Sequence, residues 1–141
     1  MIIDDSPQNS WLITQELKAI GNHNIRQANH GWVGVHIASL NRFDVILVDL
    51  AMNTMDPHEV INRIKTACSQ NNTLIIGLNY SEYDLKQNDN LLLFINMGLM
   101  ESLKGFAINF TNILAKFEDI SCDNYETCDT SMLSSSSISS N

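Results

Sequence analysis

The residues Val45-Ile46-Leu47-Val48 form an unbroken run of β-branched and aliphatic side chains, and the run stops at a carboxylate, Asp49. An apolar stretch this short, without polar alternation, suits a strand covered on both faces, as in a parallel sheet layered between helices. The polar loop after it leads to Pro57, which can open a helix at its first position. In open α/β sheets the chemistry sits beyond the carboxyl ends of the strands, so Asp49 stands where such a fold places its functional groups. A second segment has the same form: Met1-Ile2-Ile3 runs directly into Asp4-Asp5-Ser6-Pro7. As neighbouring parallel strands, the two segments would bring Asp4, Asp5 and Asp49 to one rim.

Taken singly, each of these aspartates reads as a cap on the helix that follows its strand. Taken together they pose an electrostatic problem, because like charges about 4 Å apart repel by a few kcal/mol even at a surface-like effective dielectric. They would raise one another's pKa unless a cation sits among them. A hard divalent ion with oxygen ligands, Mg²⁺ above all, resolves the conflict and leaves room for a phosphate oxygen.

The remaining elements alternate. Gln8 to Ile20 reads as an amphipathic helix with Leu12 or Ile13, Leu17 and Ile20 inward, stopped by Gly21; Trp11 is expected to pack. Ile25 to Ala28 reads as a short strand. Gly31 begins a helix with Val33, Ile37 and Leu40 on one face. Pro57 to Cys68 is a third helix with Val60, Ile61 and Ile64 inward, and Thr73 to Leu78 a second doubly buried strand, with Asn79 and Tyr80 at its end. The second half of Ser81–Met97 reads as a helix. Leu99 to Leu103 reads as a fifth strand delivering Lys104 to the rim, and Phe106 to Phe117 as the last helix. The alternation predicts a doubly wound, five-stranded parallel sheet with helices on both faces. From residue 119 to 141 the chain is rich in Ser, Thr, Asp and Asn, too poor in apolar groups to repay the entropy of ordering. The expected organisation is an ordered domain over 1–118 and a disordered acidic, Ser-rich tail over 119–141.

A formal charge of −8 argues against a nucleic-acid backbone as direct partner, since such sites need clustered Lys and Arg. No apolar run has the length of a membrane span, and the amino terminus shows no signal-peptide pattern. Cys68, Cys122 and Cys128 are odd in number and lack paired zinc spacing, which points to reduced thiols and a cytoplasmic, or also nuclear, setting. The four histidines share no ligand spacing.

The acidic pair Asp4-Asp5 after strand one, Asp49 within Val48-Asp49-Leu50-Ala51-Met52 after strand three, and Lys104 after strand five resemble the receiver domain of response regulators over residues 1–118. The resemblance implies that Asp49 accepts a phosphoryl group and that Asp4, Asp5 and Asp49 hold Mg²⁺ with the backbone carbonyl of Ala51. It implies that Lys104 pairs with the phosphoryl group and that Asn79 holds the position of a hydroxyl residue, able to donate its amide to phosphate. The implied partners are a histidine kinase or a histidine phosphotransfer protein upstream and another protein downstream. The implied role is signalling, possession of a phosphoacceptor rather than an enzyme's turnover. The Ser- and Asn-rich tail is similar to that of small stand-alone fungal receivers in stress phosphorelays.

The sequence departs from the family in four places around the acceptor. Met52-Asn53 replaces Met-Pro, Pro57 replaces a Gly, Asn79 replaces the hydroxyl residue, and Tyr80 stands where a small residue is usual. Near strand five, Lys104 comes one residue early and is followed by Gly105, and the aromatic switch position falls on Glu101 or Ser102. Two readings stay open: a phosphorylatable receiver, and a pseudo-receiver that binds partners without phosphorylation. A phosphohydrolase of another α/β family is disfavoured because Ala51 occupies the place of a second catalytic acid. No Gly-rich loop follows strand one or strand three, which disfavours a dinucleotide fold.

Overall fold

The structure is a computed structural model and describes residues 1–21, 23–69, 72–79, 94–97 and 103–126. In chain order the elements are β1 (Ile2–Ile3), α1 (Pro7–Ile20), β2 (Gln27–Ala28), α2 (Gly31–Leu40), β3 (Val45–Asp49), α3 (Pro57–Ala67), β4 (Leu74–Asn79), β5 (Phe94–Asn96) and α4 (Leu103–Glu126). The strands form one five-stranded sheet in the order β2-β1-β3-β4-β5, with every pair parallel. This is the doubly wound sheet expected from the alternation of elements. The chain divides into two compact units, Met1–Ala107 and Ile108–Asn141, so the division falls within α4.

Strand parity sorts the core of the first unit into two layers. Ile3, Ile46 and Val48 join a buried cluster with Ala38 of α2 and Val60, Ile61 and Ile64 of α3. The alternate residues Ile2, Leu47 and Ile76 are as deeply buried but stand outside that cluster. The register pairs Ile2 with Leu47 and Leu47 with Ile76, so these three share the opposite face. Right-handed crossovers place α1 on that opposite face, because the strand order reverses direction after β2. The central strand is buried on both sides, which explains why Val45–Val48 has no polar alternation.

Helix α1 turns Ile13 and Leu17 inward, together with Ser10 and Thr14, whereas Ile20 and Trp11 are exposed. The expectation that Ile20 and Trp11 pack is therefore corrected. The polar pair is tolerated because Thr14 donates to the Ser10 carbonyl at 2.7 Å and accepts the Gln27 side-chain amide at 2.6 Å. Helix α2 departs further from the sequence reading, since of Val33, Ile37 and Leu40 only Ile37 packs against the core. Its buried residues are Gly31, Gly34 and Ala38, while Val33 and Leu40 face solvent. The helix backbone lies close against its neighbours: a Cβ on Gly34 would meet the Ile3 side chain of the sheet at 2.5 Å, and one on Gly31 would meet Met55 of the β3 loop and Val60 of α3 at 2.8 Å. Hydrophobicity alone selected the larger side chains, but close approach selects the smallest ones. Helix α3 keeps the expected face, with Val60, Ile61 and Ile64 buried.

The region before α4 also departs from expectation. The apolar run ending in Phe94-Ile95, read from the sequence as helical, supplies β5. A short unbroken apolar run carries no periodicity that separates a buried strand from a buried helix. Leu103, the expected end of strand five, instead opens α4. That helix continues through Glu126, beyond Glu118, where the sequence reading ended the ordered domain. Residues 127–141, the rest of the expected tail, lie outside the described residues, as do Tyr80, Gly98, Glu101 and Ser102.

Candidate functional site

Three strand ends meet at the site. The Asp4 N–H donates to the Ala28 carbonyl at 3.0 Å, which extends the β1–β2 pairing by one residue and fixes Asp4 at the end of β1. Asp49 ends β3 in register with Leu78 of β4, and the next N–H, that of Leu50, donates to the Leu78 carbonyl at 2.8 Å. The rim is thus a product of sheet register, and the register follows from the apolar strands behind it.

Asp4 is fully buried, Asp49 is 3% exposed and Asp5 is half-buried. Each of the three offers a carboxylate oxygen, and these oxygens lie within 4.8 Å of one another. Short local bonds hold them. The Ser6 N–H donates to Asp4 Oδ1 at 2.8 Å, and the Ala51 N–H donates to Asp49 Oδ1 at 2.8 Å. Asp5 Oδ2 accepts the Asn53 N–H at 2.7 Å and the Thr54 N–H at 3.3 Å.

The alternative in which the aspartates serve as helix caps does not describe this arrangement. Helix α1 is capped by Ser6, whose side chain accepts the Asn9 N–H, and α3 by Asp56, which accepts the His58 N–H. With capping assigned elsewhere, the clustering of three carboxylates needs another account. Burial pushes the Asp49 carboxyl up from 3.8 to about 6, the Ala51 N–H partly opposes this, and the negative charges of Asp4 and Asp5 add to it. At an effective dielectric of about 20, two unit charges 4.8 Å apart repel by about 3 kcal/mol. A buried, all-oxygen donor set under this strain of like charge fits a small hard cation.

The other sequence-predicted residues are placed less completely. Asn79 is the last residue of β4, on the same rim and one position beyond the register partner of Asp49. It is placed by its backbone alone. Lys104 is the second residue of α4, not the residue after a strand, and it too is placed by its backbone. Ala51 is exposed in the loop after β3, two residues beyond Asp49. Sequence reasoning overlooked the backbone amides of Asn53 and Thr54 as partners of Asp5. Asn53 keeps an N–H that a proline would lack, but nothing in the sequence says which carboxylate that N–H meets.

Residues 1–93 match the family described as the response regulator receiver domain. The chain belongs to this family. Among curated proteins, a 65-residue stretch is 31% identical to the sensor histidine kinase RcsC of Escherichia coli, covering 46% of this chain and 7% of that protein. A 101-residue stretch is 31% identical to the E. coli sensor protein EvgS, covering 67% of this chain and 8% of that protein. The chain therefore spans under a tenth of the length of these curated relatives. Among solved structures, Vibrio cholerae CheY4 at low pH aligns with a TM-score of 0.66 and 17% identity, covering 79% of this chain and 93% of that one. A CheY-like receiver domain from Methanospirillum hungatei aligns with a TM-score of 0.66 and 20% identity over 83% and 93% of the two chains. These structures share the receiver's fold. The acidic trio of this receiver sits at the carboxyl edge of that fold's sheet, where the strand-end pattern in the sequence put it.

Proposed function

We propose that this receiver accepts a phosphoryl group on Asp49 from a phosphohistidine, in a His-to-Asp phosphorelay. The observation that carries the reading is the convergence of Asp4, Asp5 and Asp49 around a buried carboxyl whose pKa is raised to about 6. An Asp49 oxygen attacks phosphorus in line, the P–O bond forms as the P–N bond breaks, and the electron pair leaves with the imidazole nitrogen, which takes up a proton. The Ala51 N–H holds Asp49 Oδ1, which fixes the rotation of the carboxylate before attack. Asp4 and Asp5 would hold Mg²⁺ together with Asp49 and the Ala51 carbonyl. When bound, Mg²⁺ supplies positive charge that keeps Asp49 ionised and offsets the charge of the phosphoryl oxygens. Lys104 and Asn79 are assigned to the phosphoryl group by resemblance to the family.

The donor is a histidine kinase or a histidine phosphotransfer protein, and the output passes to another protein, in a cytoplasmic or nuclear relay serving a stress response. The chain is a phosphoacceptor and not an enzyme acting on a separate substrate. One observation favours the second reading, a pseudo-receiver: Lys104 lies in the first turn of α4 and not at a strand end. Intact masses after incubation with Mg²⁺ and a small acyl phosphate decide between the two. The proposed function requires a gain of one phosphoryl group that disappears in Asp49→Ala and without Mg²⁺. No gain from either the small donor or a phosphorylated phosphotransfer protein, with the fold intact, supports the pseudo-receiver.

A further inference from the structure

The side chain of Asp5 bonds across a long stretch of chain. Asp4 and Asp49 each accept an N–H two residues further along their own loop. Asp5 Oδ2 accepts amides from Asn53 and Thr54, which are 48 and 49 positions away in the chain. The loop after β1 is thereby fastened to the loop after β3. On its other side the β3 loop is fastened at Leu50, which donates to Leu78, and at Ala51, which donates to Asp49. The exposed stretch Asn53-Thr54 between buried Met52 and buried Met55 is held at Asp5.

We propose that the Asn53 backbone amide is a positioning group for the cation site. It holds Asp5 in its ligating orientation, so that occupancy of the acidic pocket and the order of the loop over residues 52–55 are linked. The inference rests on the metal reading above and adds to it. An ionised carboxylate has about four acceptor sites, so Asp5 can keep both amides while one lone pair serves a metal. Holding the carboxylate in advance removes part of the ordering cost of ligation, the role that outer partners of metal ligands commonly play. A proline at position 53, as in the Met-Pro loop of the family this chain resembles, has no N–H and cannot form this bond. The clasp is thus a property of this chain's Asn53. Coupling of this kind is reciprocal: whatever factor the clasp adds to cation affinity, the cation adds to the stability of the clasp.

The test compares Mg²⁺ affinity, read by calorimetry, in the wild type, Asn53→Ala and Asn53→Pro. The alanine variant keeps the amide and should bind as the wild type does. The proline variant should bind about tenfold more weakly, the low end of what partners of metal ligands contribute. In the wild type, saturating Mg²⁺ should slow hydrogen exchange of the Asn53 and Thr54 amides, a readout that needs no variant and stands even if the proline chain misfolds. Equal affinity in all three chains, equal weakening in both variants, or no slowing at these amides overturns the linkage while leaving the metal site in place. Absence of any Mg²⁺ binding by the wild type overturns the metal reading and the linkage together.

Discussion

Replacing Asp49 by asparagine should make the metal-free protein more stable at neutral pH, although it removes the proposed acceptor. The carboxyl has an ordinary value of 3.8 in the unfolded chain and about 6 in the fold, because burial and the charges of Asp4 and Asp5 oppose its ionisation. Between these values the unfolded chain is ionised and the folded one still protonated. Unfolding then releases a proton, and rising pH favours it. The penalty is absent well below 3.8, grows as pH rises to about 6, and stays constant above. The gap from 3.8 to about 6, at about 1.36 kcal/mol per tenfold step in proton affinity, amounts to about 3 kcal/mol. Asparagine keeps an oxygen for the Ala51 N–H and can donate its amide towards the neighbouring carboxylates, so little is lost elsewhere. Urea unfolding in the presence of a chelator is the assay. With a slope of about 1–3 kcal/mol per molar, the Asp49→Asn midpoint should rise by about 1–3 M at pH 7.5. The difference should shrink steadily as the pH is lowered towards 4, and Mg²⁺ should narrow it by stabilising the wild type more than a variant that lacks one of the carboxylate ligands. A variant no more stable than the wild type at pH 7.5 would refute the claim that the pocket strains against its own charge.

Other consequences can be checked by unfolding measurements. Gly34→Ala should destabilise the fold by about 1–2 kcal/mol in urea titration, because overpacking against Ile3 exceeds the gain in helix propensity. Ser6→Ala, which removes the cap on α1, should cost about 1 kcal/mol by the same measurement, and Ser6→Asp should restore most of it. The Arg63 guanidinium lies 4.3 Å from the centroid of the Trp32 ring and also pairs with Glu59. A double-mutant cycle on Trp32 and Arg63 should give a coupling of about 0.5–1 kcal/mol, as for an exposed cation–π contact. Zero coupling would show that solvent competes the pair away.

The parts of this fold that were legible were those in which one residue type serves one purpose. Val45–Val48 announced a doubly buried strand, and Asp4, Asp5 and Asp49 at strand ends announced a shared rim. Helix α3 was legible because its apolar positions repeat at helical spacing. Helix α2 was not, because its inner face is defined by lack of volume, and glycine at a contact looks the same in sequence as glycine in a turn. The reading failed at Phe94-Ile95 and at Leu103 for a different reason. The apolar residues there are contiguous in sequence, so nothing in their spacing distinguishes strand from helix, and Gly98 invited a boundary. In the site, side-chain chemistry could be read ahead, but the Asn53 and Thr54 amides could not. Backbone donors are present at nearly every position, and only the folded path of the loop shows which of them meets a carboxylate.

The glycine face of α2 also sets how this chain can change over time. Along the ten residues from Gly31 to Leu40, mutations at Gly34 meet Ile3 of the sheet, those at Gly31 meet Met55 and Val60, and Ala38 is buried in the same core. Those at the exposed positions Val33, His36 and Leu40 are turned towards water. Drift in this helix is therefore channelled outward. Its outer surface can be rewritten without disturbing Ile3, the residue that immediately precedes the acidic pair, and a lineage is free to acquire new surface contacts on α2 while its pocket stays as it is.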